Sequence, residues 1–540
     1  MTDWNIADVW EAVAGAKPGA DALVQGRRRT SWADFDRRAD GVAAALLDAG
    51  LGHQAKVAQY LYNCPEYVEA VFACFKAGLV PVNTNYRYGE DELAYLWDNA
   101  DVEAVVFHGS LTEMCERLRR RRPPIRSWLW VDDGNGSCPS WAERYEDAAE
   151  ASTAAHLAGP WGRSGDDLYF VYTGGTTGMP KGVMWRQDDL FCILNTTAEV
   201  RYPEGGSAAD IPGIVNGPLR YPEARLVPCP PLMHGSGTMP GFSALNGGGC
   251  LVLLEGRSFS AAELLDTIVS ERVTEMTIVG DAFARPILRE LDGSPGRWDL
   301  ISLWLVISAG AMFSADVKEG LLVHLPGALL LDNLGSSEAL GVARSRTTAG
   351  RSTETATFHM GADTMVIRED GTPVVRGSGE VGMVALRGRN PVGYYKDPEK
   401  TARTFRMIGG ERWAVNGDYA SVEADGSIRF AGRGSVCINT GGEKVFPEEV
   451  EEVLKLHPCV EDAVVVGIPD ERFGETVAAV IEPREGTGDL DVASVVAHVR
   501  GRLAGYKVPR EVVAVASVGR SPAGKVDYAM VRELVLARHR

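Results

Sequence analysis

An α/β fold with substantially parallel sheets is predicted by three observations. Strand-like and helix-like segments alternate over most of the chain. A glycine-rich stretch without long helices follows, and then a compact α/β segment. At 540 residues the chain is also long enough for more than one domain. The expected architecture is a large N-terminal domain, 1–432, with a β-rich subdomain at about 361–432, and a small C-terminal domain, 433–540. The boundary is expected at 432–436.

The elements follow in order. Lys56–Tyr62 reads as a strand and Glu66–Ala77 as a helix. Val80–Val82 and Ala104–Phe107 read as further strands, as do Leu251–Leu254, Thr277–Val279 and Leu303–Ile307. Helical patterns at Ala261–Arg272 and Ala315–His324 separate the later ones. From Gly361 glycines become frequent and short strands such as Met383–Leu386 appear. Beyond Arg433 the pattern gives a helix at Pro447–Leu456, strands at Asp462–Val466 and Thr476–Ile481, a helix at Val492–Leu503 and a strand at Glu511–Ala516. Gly205–Pro222 is rich in Gly, Pro, Ser and Ala and reads as a long surface loop. The basic run Arg117 and Arg119–Arg122, ended by two prolines, reads as a solvated helix end, where cations suit the dipole.

Composition excludes several classes. A net charge of −18, from 55 basic and 73 acidic residues, argues against nucleic acid as a general partner. Apolar runs such as Leu303–Ile307 are too short to span a bilayer. Met1-Thr2-Asp3-Trp4-Asn5 has neither the basic nor the apolar region of a secretory signal. Nine scattered cysteines without Cys-x-x-Cys argue against a disulfide framework or zinc site. A cytoplasmic location is expected.

The chemistry starts at Tyr172-Thr173-Gly174-Gly175-Thr176-Thr177-Gly178-Met179-Pro180-Lys181-Gly182-Val183, after the strand-like Leu168–Val171. Glycines bring backbone N–H groups close to a ligand, threonine hydroxyls add donors and Lys181 adds charge. That suits a polyphosphate, because successive loop amides form an anion-binding nest. It is not a Walker A loop, which needs Gly-Lys followed by Ser or Thr.

This segment resembles the phosphate loop of the adenylate-forming superfamily, which includes acyl-CoA synthetases. Arg433–Lys444 and Ala504–Arg510 are similar to an actinobacterial fatty-acid-CoA-ligase group that includes ligases of steroid side-chain acids. The resemblance covers nearly the whole chain. It implies ATP, Mg²⁺ and coenzyme A, and a mobile C-terminal domain. Thr173, Gly174, Gly175, Thr176, Thr177 and Lys181 would hold phosphates. Gly310 and Ala311 resemble the segment along one face of the nucleotide. Asp332-Asn333-Leu334-Gly335-Ser336-Ser337-Glu338 resembles the adenine and metal motif. There Ser337 would contact phosphate, and Glu338 with Thr177 would hold Mg²⁺. Leu334 replaces an aromatic residue common in the family. Asp418 would accept the ribose hydroxyls, with Asn416 where the family usually has Thr, and Arg433 would be a second ribose or phosphate contact. Ser435 stands at the hinge. Lys525, in Ser521-Pro522-Ala523-Gly524-Lys525, resembles the adenylation lysine. Gly441, Gly442 and Lys444 resemble the loop lining the CoA tunnel. His234 would border both tunnel and acyl pocket, the latter bounded by Gly235, Phe283, Gly310 and Gly335.

The implied activity is an ATP-dependent acyl-CoA ligase acting on a bulky or polycyclic carboxylic acid. Small residues such as Gly235, Ala309 and Ala311 leave pocket volume. Rivals are an enzyme running mainly one half-reaction, an amino-acid or aryl-acid adenylating enzyme, and a non-catalytic nucleotide sensor. The string Met233–Thr238 carries no carboxylate to pair with a substrate ammonium, which weighs against the amino-acid reading. A homodimer is left open.

Overall fold

The structure is a computed structural model. It describes residues 3–121, 125–151, 155–175, 178–196, 198, 200–203, 205–351, 353–440, 443–470, 474–487, 490–521, 524 and 526–538. Among these, the strands form a fifteen-stranded, an eight-stranded and a five-stranded sheet.

The eight-stranded sheet pairs Val80–Asn83, Lys56–Tyr60, Val102–His108 and Ser127–Val131 in parallel. Their side chains are buried on both faces, which is why the sequence reads as apolar runs rather than alternation. At one edge Leu168–Gly175 adds in parallel, and Gly178–Arg186 returns antiparallel to it. Gly393–Tyr394 then extends that edge by pairing with Val183 and Met184.

Past an antiparallel edge pair, Arg28–Ser31 and Asp21–Gln25, the largest sheet runs parallel through Cys250–Leu253, Arg225–Pro228, Glu275–Ile278, Leu305–Ala309 and Leu329–Ser336. It turns antiparallel at Ala339–Thr347 and stays so through Ser427–Arg433. The antiparallel region therefore starts before the expected residue 361. The polar strand Ala339–Thr347 hairpins directly onto its predecessor and carries no glycine-rich signature. Helices from the N-terminal third and Gly235–Asn246 share one core. There Trp10 packs against Phe35, Phe72, Phe75 and Phe242 at 5.2–6.0 Å between ring centroids.

The five-stranded sheet uses only strands from Ile438 to Ala514. The helices Pro447–Lys455 and Tyr528–Ala537, the second not anticipated, pack on its strand Val460–Asp470. Gly205–Pro222 is a correction, since it contains the helix Ile211–Val215. Ile211 and Val215 lie one turn apart and are both buried, and Pro212 occupies the first turn, where its missing N–H costs nothing. The basic run ends the helix Thr112–Arg121, and its arginines pair with Glu90 and Glu116 as a solvated helix end should. Arg122 lies outside the described residues. Among the described residues no helix is long and apolar enough to cross a membrane.

Candidate active site

The phosphate motif is a hairpin rather than an open loop. Thr173 pairs with Lys181 and Gly175 with Gly178, so part of the backbone bonding expected for a nest belongs to the ladder. Thr176 and Thr177, at the tip, lie outside the described residues. Gly182 has a packing reason: a Cβ there would stand 2.7 Å from the Tyr172 ring directly across the hairpin. Lys181 forms an ion pair with Asp397, three residues past the added strand.

Asn83 was not singled out in the sequence, yet it ties two motifs together. Its buried amide accepts from the Tyr172 N–H at 2.6 Å and donates to the Tyr172 carbonyl at 2.9 Å and the Met233 carbonyl at 2.7 Å. His234 follows at once and precedes the helix Gly235–Asn246, whose first N–H groups return to the His234 carbonyl.

The adenine and metal motif occupies the strand Leu329–Ser336 and the tight turn to Ala339. Alternation splits its side chains. Leu330, Asp332 and Leu334 are buried, whereas Leu329, Leu331 and Asn333 are half-buried and all line the cleft. The carboxylate of Asp332 is 3.0 Å from the ammonium of buried Lys318. Burial nevertheless raises it to about 6. Asp332 thus offers a ligand little beyond its backbone, because its charge answers Lys318. Ser337 has its carbonyl held by Trp185 Nε1 at 2.9 Å. Glu338 accepts a 2.7 Å hydrogen bond from the buried phenol of Tyr394. Tyr394 stands on the strand added beside the phosphate hairpin, so one edge strand fixes both motifs.

The ribose motif is cross-braced. Asp418 and Arg433 are directly opposed across two strands, with Arg433 Nε 3.2 Å from Asp418 Oδ1. Asn416 donates at 2.8 Å both to Asp418 Oδ2 and to Ser336 Oγ. Its departure from the family's Thr therefore joins the ribose and metal motifs. Burial raises the Asp418 pKa, and Arg433 and Asn416 oppose that rise.

Gly310, at φ +92, and Ala311 follow the strand Leu305–Ala309 and line the cleft. Beside them Gly280 is obligatory, since a Cβ would fall 2.0 Å from the Met312 carbonyl oxygen. Phe283 is buried edge-to-face against Phe259 at 4.7 Å and, with Gly235 and Gly335, lines the same cleft. The cleft holds about 2820 Å³ and brings together every predicted nucleotide and acyl segment within the described residues.

The C-terminal domain closes over it. Ser435 lies in the 3₁₀ turn Gly434–Val436. Gly524 seats against Val279 and Ala282, and Arg289 pairs with Glu461 across the junction. Lys525, Gly441 and Gly442 lie outside the described residues, while Gly524 and Val526 on either side of Lys525 line the cleft. Lys444 stands on the strand Glu443–Val445. The cluster Glu11, Asp36 and His156 has ligand atoms within 4.8 Å of one another, but its carboxylates already pair with Lys76 and Arg163.

Comparison with known proteins agrees. The AMP-binding enzyme family matches residues 10–395, and the AMP-binding enzyme C-terminal domain matches 449–525. The chain is 41% identical to the medium/long-chain-fatty-acid–CoA/3-oxocholest-4-en-26-oate–CoA ligase of Mycolicibacterium smegmatis, over 99% of this chain and 97% of that one. It is 39% identical to the 3-oxocholest-4-en-26-oate–CoA ligase of Rhodococcus rhodochrous, over 98% and 95%. In fold it resembles the anthranilate CoA ligase AuaEII in complex with anthranoyl-AMP, with TM-score 0.84 and 23% identity over 100% and 98% of the chains. ATP, Mg²⁺ and CoA are the reactants and metal of AMP-forming CoA ligases. With the family's model spanning most of the chain and ligases of this kind matching it from end to end, the chain belongs to the AMP-binding enzyme family and is an acid–thiol ligase.

Proposed function

We propose that the acid is bulky or polycyclic and that the chain carries it through both half-reactions, adenylation and transfer to CoA. One observation above the rest supports this. The cleft continues beyond the nucleotide motifs between Leu305, Ile307, Leu329 and Leu331 on the sheet and Met239 and Pro240 on the helix opposite. The whole cleft of about 2820 Å³ takes in the nucleotide site and the junction with the C-terminal domain as well as this apolar wall. The relatives' names agree, one citing medium and long fatty acids together with a steroid acid.

In this reading the triphosphate lies along Thr173, Gly174, Gly175, Thr176, Thr177 and Lys181. Asp418 accepts the ribose hydroxyls. Glu338 suits a hard cation: Tyr394 holds one carboxylate oxygen, and the other makes no hydrogen bond among the described residues. Glu338 and Thr177 would hold Mg²⁺, which would supply positive charge to offset the phosphates. Lys525 bridges the carboxylate and the α-phosphate, lowering repulsion as the carboxylate oxygen attacks phosphorus and pyrophosphate leaves. The C-terminal domain, 433–540, then turns about Ser435. Gly441, Gly442 and Lys444 next line the approach of the CoA thiol, whose sulfur attacks the acyl carbon as AMP departs. His234 borders the acyl and pantetheine ends. The inferred compartment is the cytoplasm, in keeping with nine cysteines that are all free thiols.

Competition between a polycyclic acid and octanoate, scored as kcat/KM for the thioester, tests the substrate class. Preference for the polycyclic acid is expected. Preference for octanoate or shorter acids would remove the large-pocket reading and leave the ligase standing.

A further inference from the structure

The cation of the phosphate hairpin is already answered. Lys181 pairs with one carboxylate oxygen of Asp397, and the other oxygen accepts the Lys400 backbone N–H at 2.9 Å. Lys181 and Asp397 together bring no net charge to a triphosphate. The ammonium of Lys400 differs. It lies 4.1 Å from the centre of the Tyr394 ring, whose phenol holds Glu338. The ring face attracts a cation without neutralising it. Among the described residues this ammonium has no hydrogen bond and no carboxylate within ion-pair distance. Lys400 is half-buried and lines the cleft. Burial holds its ammonium below the usual lysine value, Glu338 opposing that fall and Lys181 adding to it. An anion close by would favour the charged form.

The anchors of this segment say which part of the nucleotide Lys400 faces. Gly393–Tyr394 pairs with Val183 and Met184 on the second strand of the phosphate hairpin. Asp397 ties the segment to Lys181, and Tyr394 ties it to Glu338. The charge of Lys400 acts on both of those side chains. The ribose end of the nucleotide belongs to another pair, Asp418 and Arg433. What is left for Lys400 is the other end of the triphosphate, the two phosphates that leave together. When the carboxylate oxygen attacks the α-phosphorus, the bond from that phosphorus to the bridging oxygen breaks. Its electron pair stays on the pyrophosphate. Negative charge grows there in the transition state, and a fixed ammonium donor stabilises it without transferring a proton.

We infer that Lys400 is a further catalytic residue of the adenylation step, its ammonium binding the β- and γ-phosphate oxygens of ATP and holding them as pyrophosphate forms. This deepens the proposed function and rests on its placement of the triphosphate along the hairpin.

Lys400→Met tests it, because methionine keeps an unbranched apolar stem over Tyr394 and removes the charge. Calorimetric titration with inorganic pyrophosphate and Mg²⁺ needs no acid substrate. Affinity in the variant should fall by roughly ten- to hundredfold, and Lys400→Arg should recover part of it. In ATP–pyrophosphate exchange the KM for pyrophosphate should rise by a similar factor. Thioester formation from a supplied acyl-adenylate involves no pyrophosphate and should be spared. If Lys400→Met folds poorly, Lys400→Gln carries the same comparison. Unchanged pyrophosphate affinity in a folded variant, or equal loss of both half-reactions, overturns the inference and leaves Lys400 as a prop for Tyr394. The titration also separates it from the proposed function. Pyrophosphate binding weakened in Lys400→Met, with no thioester from any acid in wild type, upholds the Lys400 site and sinks the two-step reading. Thioester formation by wild type, with equal pyrophosphate binding in both proteins, does the reverse.

Discussion

The phenol of Tyr394 donates to the Glu338 carboxylate at 2.7 Å across 56 residues of sequence. The bond joins the edge strand beside the phosphate hairpin to the turn that carries the candidate metal ligand. It fixes which carboxylate oxygen faces the cleft. Partners that orient metal ligands commonly contribute 10- to 100-fold in metal affinity.

Tyr394→Phe should therefore raise the Mg²⁺ concentration for half-maximal ATP–pyrophosphate exchange by roughly tenfold. Thermal stability should change little, because the ring keeps its packing against Phe405. An unaltered Mg²⁺ titration would detach Glu338 from the metal.

Lys318 and Asp332 form a buried pair behind the same strand, with side chains 1% and 6% exposed. Lys318→Met leaves a carboxylate buried without its cation and should cost about 3–5 kcal/mol of stability. Adding Asp332→Asn should recover much of that loss, as a double-mutant cycle by chemical denaturation would measure. Additive losses would mean that the two residues act separately. Asp332 is raised to about 6, so the folded state binds more protons there than the unfolded chain does. Its contribution accordingly falls as pH rises from the ordinary carboxylate range through 6.

How far the site was legible depends on whether a residue's role is local in sequence. The candidate phosphate, adenine and ribose segments stood out because each is a contiguous string, the first of them rich in glycine. Asn83 and Tyr394 did not. Each does its work through partners more than fifty residues away, and an asparagine ending a strand or a tyrosine after Gly393 carries no local signature. Parallel strands were found because burial on both faces writes continuous apolar runs. The antiparallel start at Ala339 escaped because its strand mixes arginines with apolar residues, and the helix Ile211–Val215 because it is five residues long and holds a proline and a glycine. The pattern gives the place of Asp332 on a strand but not the buried Lys318 behind it.

Domain seating should depend on pH through Glu448. Its Oε1 accepts from the Arg433 N–H across the hinge at 3.4 Å, while Oε2 is buried without a partner. Burial, then the nearby Glu451 charge, raises it from 4.5 to about 8. A carboxyl with a raised pKa favours the state that buries it at low pH, and that advantage is lost as pH rises through 8. The closed seating should therefore weaken between pH 4.5 and 8. Energy transfer between dyes on the two domains should report it. Glu448→Gln should keep the domains seated above pH 8, and an identical pH profile in that variant would locate the titration elsewhere.

The last prediction concerns how closely the C-terminal loop must approach. Gly524 has φ +69, and a Cβ there would stand 3.0 Å from both Val279 Cγ1 and Ala282 Cβ. An alanine would pay left-handed backbone strain of roughly 1–2 kcal/mol and also lose the close fit. Either effect shifts the backbone of Gly524, the residue that leads into Lys525. Gly524→Ala should thus slow adenylate formation by about tenfold or more, and Lys525→Ala should cripple it. A supplied acyl-adenylate should still be converted to thioester by both variants, because transfer uses the other domain orientation. Ser435→Pro fixes φ near −65° and removes an N–H. It should trap one orientation and spare one half-reaction. The decisive measurement is each half-reaction assayed alone in folded protein. Equal loss of both steps in Lys525→Ala would remove Lys525 from the adenylation step and leave the Gly524 contact as packing between domains.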